Sequence, residues 1–320
     1  MTSAEPSLEM PKVKRPKRNY KVIWASFALF SVLLFGASFA LPFLTGLRTE
    51  HIPSGASIAV QPWMSLVPAE AETATFANIS NALASGLNAS SDVPLLHVYQ
   101  TGQALTFANI TYLLNYNVAN SNPNQNDTGV VIIKTTQQAY DDLHSALNAS
   151  SIVGRVNYRT YTIYFVLNND SLSKTLLTGR ICFLNGLIFY SQSDLNPTSE
   201  LEAGMDAALD QQTSLFQNRT VQLSVFAVAG SGANYLALNY QGFEGEIKGS
   251  DFAAKAVTGS GQSFQAVYAF GFNSTSSASS RAKEVTTVYQ GGSDYYLLDN
   301  YVVAKMGIDV AGLLIQLVSF

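Results

Sequence analysis

Arg180-Ile181-Cys182-Phe183-Leu184-Asn185-Gly186-Leu187-Ile188-Phe189-Tyr190 is the stretch on which the fold turns. Two apolar, strand-forming runs flank Asn185-Gly186, and both turn residues tolerate positive φ, so the segment predicts an antiparallel hairpin. Upstream, Arg155 to Leu167 alternates, with Tyr161, Ile163, Phe165 and Leu167 on one face and Tyr158, Thr160, Thr162 and Tyr164 on the other. Downstream, Val221 to Val228 and Asn234 to Tyr240 flank Gly230-Ser231-Gly232, and Glu284 to Gln290 and Tyr295 to Ala304 flank Gly291-Gly292. Short Gly-rich links between strand-like runs imply antiparallel pairing.

Helical spacing lies between these runs. From Thr73 to Leu87, Phe76, Ile79, Leu83 and Leu87 mark one face with Asn78 opposite, and from Gln137 to Leu147, Tyr140, Leu143 and Leu147 do the same. Thr135 with Gln138, and Ser199 with Glu202, have capping-box spacing, the latter opening a third helix that runs through Phe216. Leu87-Asn88-Ala89-Ser90-Ser91 recurs as Leu147-Asn148-Ala149-Ser150-Ser151, and Asn218 closes the third helix in similar fashion. This suggests a repeated helix-strand-strand unit, with a degenerate copy over Asp251 to Val257 and Ser263 to Asn273. The expected fold class is α+β: a β-rich ectodomain of antiparallel sheet with helices packed on one face, as one domain or two similar halves.

Ahead of this domain, Val22 to Leu47 is 26 residues without a charge, long enough to cross a ~30 Å hydrocarbon core. Lys12, Lys14, Arg15, Lys17, Arg18 and Lys21 precede it, whereas Arg48 and Glu50 follow. The positive-inside bias therefore places residues 1–21 in the cytoplasm as a basic tail, residues 22–47 in the bilayer as a signal-anchor, and the rest outside the cell. Tyr20 and Trp24 suit the interfacial belt. Ser38-Phe39-Ala40 offers a signal-peptidase site, but the apolar run is longer than an ordinary signal core and continues past it. Residues 48–70, with Pro53, Pro62 and Pro68, read as an extracellular stalk, and residues 71–320 as the extracytoplasmic α+β domain.

Setting aside the six basic and two acidic residues of the first 21 leaves 12 Lys/Arg against 20 Asp/Glu, an acidic exterior that excludes nucleic acid as the default partner. Asn-x-Ser/Thr triplets occur at Asn78, Asn88, Asn109, Asn126, Asn148, Asn169, Asn218 and Asn273, while Pro197 disqualifies Asn196. N-linked glycans are the expected partners of these residues. The chain has one cysteine, Cys182, and hence no internal disulfide. A glycosylated, charge-poor, disulfide-free exterior fits a prokaryotic surface, and we expect an archaeal envelope, one suited to acid because Asn, Ser and Thr do not titrate.

Chemistry is sparse. His51, His97 and His144 match no metal-ligand spacing, so neither a metal nor a cofactor is expected. Asp141, Asp142 and His144 could orient a histidine on one helix, and Glu200, Glu202, Asp206 and Asp210 could pair as carboxylates, but helix solvation and helix-start electrostatics explain both sets. Cys182 reads as a small core residue, and no catalytic residue is assigned. The expected function is a non-enzymatic, single-pass cell-surface glycoprotein. It would serve envelope attachment, assembly or accessory-subunit contacts, with the lipid bilayer and other envelope or membrane proteins as partners. A tethered solute- or glycan-binding module and an extracytoplasmic hydrolase using the paired carboxylates are the alternatives. The final run, Leu313 to Phe320, reads as a core strand or as a strand given to a neighbouring subunit.

Overall fold

A computed structural model describes residues 47–52, 62–84, 94–118, 128–169, 176–192, 197–229, 235–239, 247, 249–260, 263–289 and 294–308. The chain divides into two compact units, Met1–Leu47 and Arg48–Phe320, and apart from Leu47 the described residues belong to the second. Residues 22–46 of the apolar run and the terminal run 313–320 lie outside the described residues.

The central hairpin forms as its sequence demands. β9 (Leu176–Leu184) and β10 (Leu187–Gln192) pair antiparallel with Leu184 opposite Leu187, and Asn185 and Gly186 both take positive φ, 52° and 74°. Ile181, Phe183, Ile188 and Tyr190 face one core, whereas Cys182, Leu184, Leu187 and Phe189 face another. Burial on both faces explains why these strands read as continuous apolar runs and not as alternation.

From that hairpin the sheet extends both ways into a mixed α+β fold with one large sheet and few helices. The strands, in chain order, are β1 (Arg48–Glu50), β2 (Ala71–Asn78), β3 (Pro94–Val98), β4 (Gln103–Thr106), β5 (Ile110–Val118), β6 (Thr128–Thr135), β7 (Gly154–Tyr158), β8 (Tyr161–Asn169), then β9 and β10. After them come β11 (Tyr235–Asn239), β12 (Phe252–Ser260), β13 (Ser263–Gly271), β14 (Asp294–Leu298) and β15 (Tyr301–Ile308). Their order across the sheet is β1-β14-β15-β13-β12-β11-β2-β5-β6-β10-β9-β8-β3-β4, with β7 added beside β8. β1 runs parallel to β14, and the other pairings are antiparallel.

Helices cover both faces of the sheet, correcting the expectation of one. On the first face, Leu201 and Met205 of α3 (Pro197–Ala208) lie against β6, β9 and β10, Val221 and Val225 of α4 (Arg219–Ala229) lie against β12, β13 and β15, and Trp63, Met64 and Val67 join the same core. On the second, Ile79 and Ala82 of α1 (Ile79–Ala84) and Leu143 and Leu147 of α2 (Gln137–Ala149) pack among Leu113, Ile133, Ile181 and Ile188. α5 (Thr275–Val288) leads to Tyr289, whose ring lies 4.5 Å from Tyr268 and 5.6 Å from Phe270. The cause is the two-sided apolar character of the central strands, which leaves neither face able to meet water.

Other expectations shift for local reasons. Of the described residues in the stretch 73–87, 73–78 belong to β2 and Ile79–Ala84 is helical, because Ala74 and Phe76 face the first core while Ala77 faces the second, a period of two. Arg155 to Leu167 is a hairpin of its own, turning at Arg159 (φ 52°) between Tyr158 and Tyr161. Val221 to Val228 and Glu284 to Val288 are helical, whereas Asp251 to Val257, expected to open the degenerate copy of the helix-strand-strand unit, runs into strand β12 from Phe252 onward. The third helix ends at Ala208, and the α2 cap is Thr136, one residue later than expected, accepting a hydrogen bond from the Ala139 N–H. Among the described residues four strands follow each of α1 and α2, so the helix-strand-strand repeat is not the unit of construction there. The described parts of 48–70, expected as a stalk, join the domain: β1 pairs with β14, and Trp63 stacks on Phe76 at 4.9 Å.

Candidate functional site

The five sequon asparagines whose side chains are described share one geometry. Asn78 Oδ1 accepts from the Asn81 N–H (3.0 Å), Asn109 Oδ1 from the Thr106 N–H (3.3 Å) and hydroxyl (3.0 Å), and Asn218 Oδ1 from the Thr220 (3.0 Å) and Val221 (3.4 Å) N–H groups. Asn273 Oδ1 accepts from the Ser277 hydroxyl at 2.8 Å, and Asn148 Oδ1 from the Tyr164 hydroxyl. In each case the oxygen is tied down and Nδ2, the atom a glycan would join, makes no hydrogen bond among the described residues. Asn148, Asn218 and Asn273 are exposed, and Asn78 and Asn109 are half-buried, with Ile79 and Ile110 of their triplets in the core. Asn169 closes β8, and Asn88 and Asn126 lie outside the described residues.

Part of this pattern has a structural origin. Asn78 and Asn218 directly precede α1 and α4 and cap them, so an Asn-x-Ser/Thr triplet also serves as a helix start. Asn148 stands in the last turn of α2, where Arg155 reaches back. Its Nη2 donates to the carbonyls of Leu147, Asn148 and Ser150 at 2.9, 2.7 and 2.9 Å, closing the helix with a cation at its negative end.

The carboxylate set is partly assembled. Arg159 clamps Asp206 with Nε on Oδ1 (2.9 Å) and Nη2 on Oδ2 (3.0 Å), and the Tyr158 hydroxyl donates to Oδ2 at 2.8 Å. Burial pulls the Asp206 pKa upward, but these hydrogen bonds outweigh it and hold the carboxyl below its ordinary value. Glu202 moves the other way, raised by burial and then by the charge of Asp206. Glu200 lends its backbone carbonyl to the buried Tyr116 hydroxyl at 2.9 Å, and Asp210 lies exposed past the helix end. The three donors on Asp206 make it a fastening between the β7–β8 turn and α3.

The histidine set does not form an acid/base pair. Asp141 accepts from Gln137 (2.9 Å) and Asp142 from Gln138 (2.8 Å), while the His144 ring stacks on Phe183 at 4.4 Å. Burial lowers the His144 pKa, opposed by Asp141. His51 Nδ1 meets Asp299 Oδ1 at 2.8 Å, and the His97 backbone N–H donates to Asn168. Among the described residues no cluster of His, Cys, Asp and Glu could hold a metal ion. Cys182 is fully buried, and burial pushes its thiol up to about 12. Sequence reasoning missed Arg155, whose carbonyl partners lie 5 to 8 residues before it, and Arg159, whose partner lies 47 residues away and leaves no local signal.

No helix among the described residues is long and apolar enough to cross a membrane. No known protein family matches the chain, and no curated protein does. Solved structures of TP0453 align with it: crystal form I at TM-score 0.47 and 8% identity over 83% of this chain and 99% of that one, form III at 0.46, 8%, 82% and 99%, and form IV at 0.45, 9%, 81% and 98%. Similarity at that level assigns neither a family nor a function.

Proposed function

We propose that the chain is a single-pass, membrane-anchored cell-surface glycoprotein of an archaeal envelope, non-enzymatic, serving attachment, assembly or accessory-subunit contacts. Residues 22–47 anchor it and residues 1–21 stay in the cytoplasm, as the uncharged run and its basic flank support. Residues 48–320 fold outside the cell. The observation that carries the reading is the shared sequon geometry, in which Oδ1 is engaged and Nδ2 is left unbonded at Asn78, Asn109, Asn148, Asn218 and Asn273. A glycan on Nδ2 at these positions leaves each Oδ1 contact intact.

Two measurements on native cells test this. Glycopeptide mass spectrometry is expected to find added hexose mass on the peptides bearing Asn148, Asn218 and Asn273, and protease added to intact cells is expected to digest residues beyond 48. Unmodified peptides at all three positions, protection of the C-terminal portion, or mature protein beginning at Leu41 would overturn the reading.

A further inference from the structure

β7 is bonded to β8 on one side, and no described strand pairs with its other side. Gly154, Arg155, Val156 and Asn157 are all exposed. Four large hydrophobic side chains stand well exposed among the described residues, and three of them belong to this edge: Ile152 at 70%, Val156 at 42% and Tyr99 at 60%, the fourth being Val288. Tyr99 continues the line of β7 along β8, because its N–H donates to the Leu167 carbonyl at 2.8 Å. The Gln100 amide bridges the gap between them, donating to the Phe165 carbonyl (3.4 Å) and accepting from the Leu167 N–H (2.7 Å).

Edge strands are ordinarily guarded by a projecting charge, a proline or a bulge. Arg155 is the one charge in β7, and its guanidinium is drawn back to the C-terminus of α2 and over the Tyr164 ring at 5.7 Å. The opposite edge is guarded: β1 is three residues long, and its Arg48 and Glu50 pair with each other at 2.8 Å while Arg48 also reaches Asp294 at 3.1 Å.

We propose that this unguarded β7 edge accepts Leu313–Phe320 of a second copy of the chain as an added strand. That segment carries no charge, and its alternation puts Leu313, Ile315 and Leu317 on one face, fit to meet Val156 and Ile152 while its backbone pairs with β7. The path along the sheet favours a second copy over addition within one molecule. Ten strand-to-strand steps separate β15 from β7, on the order of 48 Å at ~4.8 Å each, and residues 309–312 span about 14 Å when extended. A donor segment and an acceptor edge drawn from different parts of one chain make a head-to-tail contact, which propagates into a ring or a filament. The inference goes beyond the anchored-glycoprotein reading and stands without it, since edge and donor exist whether or not residues 22–47 span a bilayer.

The test uses full-length protein in detergent micelles, with Val156→Cys on one preparation and Ile315→Cys on another. Native Cys182 is fully buried and stays out of the reaction. Under a mild oxidant, a mixture of the two is expected to give a cross-linked dimer on a non-reducing gel that neither preparation gives alone. The doubly substituted chain is expected to give a ladder, and Val156→Lys to shift the sedimenting species to monomer. Self-cross-linking of Val156→Cys, an intramolecular disulfide in the doubly substituted chain, absence of the mixed dimer, or a wild-type chain already monomeric overturns the proposal.

Discussion

Asn218 carries two roles that a pair of substitutions separates. Its Oδ1 accepts from the Thr220 and Val221 N–H groups, satisfying two otherwise unpartnered donors at the start of α4, and Thr220 completes the sequon. Asn218→Ala removes both cap and sequon. Thr220→Ala removes the sequon and keeps the cap, because the cap uses the backbone N–H of residue 220 and not its hydroxyl. Loss of an Asn cap costs about 1 kcal/mol, which in a domain of this size lowers Tm by roughly 2–4 °C. Whatever the glycan contributes is lost from both variants, so their difference isolates the cap. Expected are the same loss of glycan mass in both by intact-protein mass spectrometry, and a melting point roughly 2–4 °C lower for Asn218→Ala than for Thr220→Ala. Equal melting points would refute the capping argument, and a wild-type Asn218 peptide without added mass would refute the glycan half.

Asp206→Asn should lower Tm at neutral pH. Because the folded carboxyl titrates below its unfolded value, its contribution is fully present above about pH 4 and is lost as pH falls through the lower folded pKa, so the gap to wild type in a pH series of thermal melts should be flat down to that region and close beneath it. Gly204→Ala should destabilise by about 1–3 kcal/mol in denaturant titration, against a helix-propensity gain of about 1 kcal/mol. A methyl there would lie 2.1 Å from the Tyr116 hydroxyl, and adding Tyr116→Phe should recover part of the loss. Cys182 should resist an aromatic disulfide reagent at pH 8 until the protein is unfolded, since the thiol is fully buried and its pKa is pushed up to about 12.

What was legible in the chain follows how local its cause is. The Asn185-Gly186 turn and α2 were readable because their determinants lie within a few residues: two positive-φ positions, and Leu143 and Leu147 four apart on one buried face. Val221 to Val228 misled because β-branched content suggests strand, yet Val221, Val225 and Val228 recur at helical spacing and are all buried, so periodicity outranks composition there. The turn at Arg159-Thr160 was hidden because neither residue is a usual turn former. Only the Asp206 clamp, 47 positions away, makes sense of an arginine at positive φ. The capping role of Asn78 and Asn218 was not legible in their triplets, because it needed the helix starts, which two-fold and 3.6-fold spacing blur around Asn78.

The same facts bear on how such a surface tolerates its medium. The described ion pairs of Arg48, His51, Arg159 and Arg281 each involve an exposed base, and exposed pairs contribute little and are screened by salt. Order at several junctions comes instead from contacts that involve no carboxylate: Asn218 on backbone amides, Tyr164 on Asn148, Tyr116 on a carbonyl, and Arg155 on three carbonyls. Two apolar layers, one on each face of a single sheet, supply the remainder. Acid that protonates ordinary surface carboxylates, or salt that screens them, therefore acts first on the exposed pairs of Arg48, His51 and Arg281. The clamp on Asp206 is the carboxylate contact placed to outlast them, because its own protonation waits for a lower pH.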